Sequence, residues 1–92
     1  MNAKERVRYY EVLLNHVCET MDNYKKAVDN YIKVQVLVKE LENYLSSGEW
    51  QSDYEADEKG AFPADMPRGV LSQDGLYNLL EENGELIKKL LE

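Results

Sequence analysis

The run YYEVLLNHVCETMDNYKKAVDNYIKVQVLVKELENYLSS, Tyr9 to Ser47, decides the fold. Tyr10, Val17, Tyr24, Tyr31, Val38 and Leu45 recur every seven residues, and Leu14, Met21 and Val28 fall four residues after the first three of these. Gln35 and Glu42 continue the second series as polar exceptions, while Leu13, Ala27, Val34 and Leu41 widen the stripe on one side. A 3-4 apolar spacing sustained this long is the pattern of a packed helix with coiled-coil character. No Pro or Gly interrupts residues 1–47, and the stripe keeps its phase across Asp22-Asn23 and Asp29-Asn30, where a turn would reset it. One helix over 3–45 is therefore expected, with a helical hairpin, broken between Asp22 and Gln35, as the alternative. Ile32, Val34, Val36 and Val38 also alternate as a strand would, but the chain contains no second alternating run to pair with them.

Working outward, Ser46-Ser47-Gly48 ends this segment, with Gly48 as a left-handed cap. Residues 46–71 read as an ordered acidic loop anchored by Trp50, Tyr54, Phe62, Met66, Val70 and Leu71, with a short helix over 49–59 placing Trp50 and Tyr54 on one face. Residues 72–91 read as a C-terminal helix. Ser72 is its N-cap, Asp74 suits the positive end of its dipole, and Leu71 and Leu76 are spaced for a hydrophobic staple. Leu76, Leu79, Leu80, Asn83, Leu86, Ile87, Leu90 and Leu91 form its buried stripe. The fold class is all-α: a small helical bundle or coiled coil in a single domain over 1–92, with the C-terminal helix packed back on the long one.

The lengths carry a consequence. A 43-residue helix is about 65 Å long and a 20-residue helix about 30 Å, so the second covers roughly half of the first helix's stripe. The uncovered half would face water, and a second copy of the chain packed with two-fold symmetry is the simplest cover. A homodimer is expected, together with an unidentified protein partner.

Composition narrows function by exclusion. Formal net charge is −7 over 92 residues. Residues 1–45 are neutral, and the acidity lies in 46–71 and 72–92. Such a surface repels a phosphate backbone, so no nucleic-acid partner is expected. No apolar run approaches membrane-spanning length and no secretory signal opens the chain. One cysteine, Cys18, forms no internal disulfide and fits a reducing cytoplasm.

The chemistry-bearing residues are sparse. His16 and Cys18 point about 200° apart on a helix and cannot share a metal. Asp53, Glu55 and Asp57 alternate like the start of a calcium loop, but Glu58 stands where the loop needs Gly and Ala64 where it needs a Glu ligand. No nucleophile–base pattern and no phosphate loop occurs. No enzyme activity, cofactor or metal is expected. The candidate site is Trp50, Tyr54, Asp53, Asp57 and Arg68, which serves either as a partner surface, since Trp and Arg dominate interface hot spots, or as an anchor for the loop, with Arg68 paired to Asp53, Asp57 or Asp65.

The stretch Tyr44-Leu45-Ser46-Ser47-Gly48-Glu49-Trp50, then Asp53-Tyr54-Glu55-Ala56-Asp57-Glu58, then Pro67-Arg68-Gly69-Val70-Leu71-Ser72 with Asp74 and Tyr77, resembles the bacterial domain-of-unknown-function family 4298. The likeness extends over nearly the whole chain, its specific part being 44–80. Leu45 departs from a Tyr-Tyr pair in the family pattern, and Gln73 from a Glu. The resemblance implies a small bacterial cytoplasmic protein and supplies no mechanism. It leaves three functions open: a self-associating, non-enzymatic interaction module, a purely structural helical dimer, or a small regulator binding a divalent metal or ligand at the acidic segment.

Overall fold

Asn2 opens the first helix as a capping residue. Its side-chain oxygen accepts the Glu5 amide at 2.8 Å, and its amide nitrogen donates to the Glu5 carboxylate at 3.2 Å. This reciprocal pair satisfies one of the four amides that a helix start leaves bare. From there, in a computed structural model describing residues 1–92, α1 runs without interruption over Ala3–Ser46. The alternating stretch at 32–38 is helical, and the chain contains no strand. Helix α2 spans Glu49–Glu58, a 3₁₀ turn spans Gly69–Leu71, and α3 spans Gln73–Leu91.

The chain divides into two compact units, Met1–Gln35 and Val36–Glu92. The first is helix alone. Every residue from Met1 to Ala27 is exposed, the apolar stripe included, and no residue of α1 is fully buried.

The second unit holds the core. Trp50, Leu71 and Leu76 are 4%, 8% and 5% exposed, and Leu41, Tyr44, Leu45, Tyr54, Phe62 and Leu80 pack against them. Three tight connections shape this unit. Gly48 takes φ +91°, the left-handed conformation that a side chain resists, and its carbonyl accepts the Ser52 amide to start α2. The Ser47 hydroxyl bridges the corner, donating to the Tyr44 carbonyl and accepting the Glu49 amide. At the other end of α2, Gly60 takes φ +75°. Its amide donates to the Asp57 carbonyl, and the next amide, of Ala61, donates to Ala56. This is a Schellman termination, which satisfies carbonyls the helix leaves open.

Ser72 caps α3 by accepting the Gly75 amide at 3.3 Å. Leu71 and Leu76 flank that cap, and both are buried in the same cluster, so the hydrophobic staple fixes where α3 begins. At its far end Lys88 and Lys89 stand in the last turn, favoured by the negative end of the dipole.

Candidate functional site

The five residues singled out in the sequence come together in the second unit. Trp50, Asp53, Tyr54 and Asp57 share the inner side of α2 at spacings of three and four, and Arg68 reaches them from the segment before the 3₁₀ turn. The Trp50 indole N–H donates to the Val70 carbonyl at 2.9 Å. Its ring stacks on Tyr54 with centroids 5.2 Å apart and planes 17° from parallel. Arg68 donates to Asp57 at 2.5 Å and, through its second nitrogen, to the Ala64 carbonyl at 3.2 Å. The Tyr44 hydroxyl donates to Asp53 at 2.6 Å, the short length typical of a hydroxyl on a carboxylate.

These contacts have one direction: inward. The Tyr44–Asp53 bond joins α2 to the last turns of α1, and the Trp50–Val70 and Arg68–Asp57 bonds join it to the segment leading into α3. Trp50 is 4% exposed and lies against the rest of its unit. Arg68 is likewise committed, to Asp57 among the three acids open to it.

Asp53, Glu55 and Asp57 lie within α2, the helix expected over 49–59, and not in a calcium-type loop. Successive helical residues diverge by about 100°, so Asp53 and Asp57 share a side while Glu55 points away, and the three cannot converge on one ion. No group of three or more His, Cys, Asp or Glu side chains is placed to hold a metal.

Two tyrosines feel these acids. Asp53, by its hydrogen bond first, then partial burial and the charges of Asp53 and Glu49, pushes the Tyr44 phenol up to about 12. The Glu58 carboxylate beside the Tyr54 hydroxyl, accepting its hydrogen bond, raises that phenol as well. A pocket of about 250 Å³ lies beside Tyr44 and Asp53, walled by Phe62, Met66, Pro67 and Arg68 with Val70 and Leu71. Its polar side chains are already paired, Tyr44 with Asp53 and Arg68 with Asp57 and the Ala64 carbonyl.

The first unit presents a different kind of surface. Along α1, Tyr10, Leu13, Leu14, Val17, Met21 and Tyr24 are exposed, from 42% at Leu13 to 65% at Tyr24. Arg6, Val7, Tyr10, Glu11, Leu13, Leu14 and Val17 line a shallow open groove on it. Cys18 borders this stripe and is exposed, as is Val17 beside it. His16 and Cys18 make no contact with each other. The stripe is legible in the heptad spacing, and the helix lengths already leave about half of it without cover from the same chain. The structure bares every residue from Met1 to Ala27, and the residues of α1 that pack on the core, Leu41, Tyr44 and Leu45, lie near its C-terminal end.

An all-helical chain with a tightly pinned C-terminal unit and a bare heptad-patterned helix is the class the fold defines. The chain belongs to the family described as domain of unknown function (DUF4298), which matches residues 7–92. No curated protein and no solved structure matches it. No helix is long and apolar enough to cross a membrane.

Proposed function

We propose that this protein is a non-enzymatic, self-associating interaction module that works through the heptad stripe of α1. The carrying observation is the exposure of Tyr10, Leu14, Val17, Met21 and Tyr24, each more than half open to water on one side of one helix. Large contiguous apolar surface of this kind marks an interaction site. A helix that buries nothing also lacks the tertiary packing that supplies most helix stability in water. A second copy provides both cover and stability with one self-complementary surface. The paired acids of α2 support a structural role for the Trp50–Arg68 cluster, which holds the second unit in shape. A bacterial cytoplasmic setting belongs to the same reading, supported by the single unpaired thiol and the family resemblance.

The test is a pair of charge insertions, Leu14→Glu with Met21→Glu. The double variant is expected to be monomeric in sedimentation, with the fluorescence of Trp50 unchanged because that ring lies in the other unit. A variant that keeps the association of the parent chain would sink the proposal. Loss of the Trp50 signal would show that the stripe is required for the fold of the second unit instead.

A further inference from the structure

We propose that two copies pair through α1 in antiparallel orientation, with Leu14 of each level with Tyr24 of the other and Val17 level with Met21. This rests on the self-association reading and specifies its geometry.

The stripe consists of two rows of different character. One is aliphatic: Val7, Leu14, Met21 and Val28. The other is Tyr10, Val17, Tyr24 and Tyr31. In a parallel pair each row faces its own copy, so tyrosine stands on tyrosine in three layers where a parallel dimer favours leucine. In an antiparallel pair every layer crosses the rows. Tyr10 then meets Val28 and Tyr24 meets Leu14, large against smaller, the arrangement that fills a seam without voids.

Charge selects the register. The positions flanking the tyrosine row are Lys4, Glu11, Cys18, Lys25, Ile32 and Lys39. With Leu14 level with Tyr24, Glu11 faces Lys25 twice, once on each side of the two-fold axis. Neither residue has an ion-pair partner within its own chain. Sliding the pair by one heptad in one direction brings Lys4 against Lys25, and in the other Lys4 against Lys39. Both neighbouring registers thus replace attraction with repulsion. The selected register also fits the extent of the bare helix: residue Ala3 lies level with Gln35, so the unit Met1–Gln35 is paired along its whole length and Val36–Glu92 is left free.

The experiment uses the full chain. Glu11→Lys and Lys25→Glu are each expected to weaken the dimer, by roughly three- to tenfold in Kd, and the double reversal to restore it to within about twofold. In a parallel pair Glu11 faces Arg6 and Lys25 faces Thr20, so the double reversal gives no rescue. A spin label at Arg8→Cys in a Cys18→Ser background reads orientation directly. The antiparallel pair puts the two labels about 33 Å apart along the axis, at 1.5 Å per residue, whereas a parallel pair puts them side by side. A dimer with no rescue and a short label distance overturns the orientation alone. A parent chain that stays monomeric overturns both the orientation and the self-association beneath it.

Discussion

The indole of Trp50 joins two parts of the chain that are twenty residues apart: its N–H is bonded to Val70 and its face is stacked on Tyr54. Truncating a buried tryptophan costs the transferred area plus the cavity left behind. Trp50→Ala is therefore expected to destabilise the second unit by about 3–5 kcal/mol. Trp50→Phe keeps most of the ring but strands the Val70 carbonyl, at about 1–2 kcal/mol. Urea titration followed by circular dichroism checks both, and a cost for alanine below that of phenylalanine would contradict the anchor role. Tyr44 supplies a second prediction at this scale. Its phenol ionises at 10.0 when unfolded and at about 12 when folded. Between those values the folded state holds the proton that the unfolded state has lost, so stability present below pH 10 falls as pH rises through that window. Tyr44→Phe should flatten the decline seen in unfolding midpoints over that window. A decline of equal steepness in the variant would assign it to other groups.

At the scale of elements, the caps explain why α2 and α3 sit where they do. Gly48 and Ser72 were legible as punctuation because each stands beside a clear apolar run. Gly60 terminates α2, and the helix expected over 49–59 ends directly before it. The run Ala56-Asp57-Glu58-Lys59 is polar on most sides, so apolar periodicity alone does not mark the Schellman turn there. The signal available was the glycine itself after a basic residue. A side chain at a left-handed position costs about 1–2 kcal/mol, so Gly60→Ala should destabilise by that much, whereas Gly84→Ala inside α3 should be neutral or stabilising. Equal melting shifts for the two would contradict the Schellman assignment. Ser72→Ala is expected to cost about 1 kcal/mol through the cap on α3.

For the whole molecule, the sequence spacing identified which residues belong to one side of α1 but not what covers them. The heptad pattern is the same over the bare part of the helix and over Leu41 and Leu45, which pack on the core. The difference arises because the chain after Gly48 folds into its own unit and uses its apolar side chains there. The acidic residues divide the same way: the pairing of Arg68 with one of Asp53, Asp57 and Asp65 is legible from charge, whereas the bond from Tyr44 to Asp53 crosses the corner at Gly48 and no local spacing reveals it. The central claim is that the exposed stripe of Met1–Gln35 is consumed by a second copy. Light scattering of the parent chain across a concentration series tests it most directly. The account predicts a mass rising to twice the chain's 10.7 kDa and holding there. A mass of 10.7 kDa at every concentration, with helical content undiminished, would contradict it.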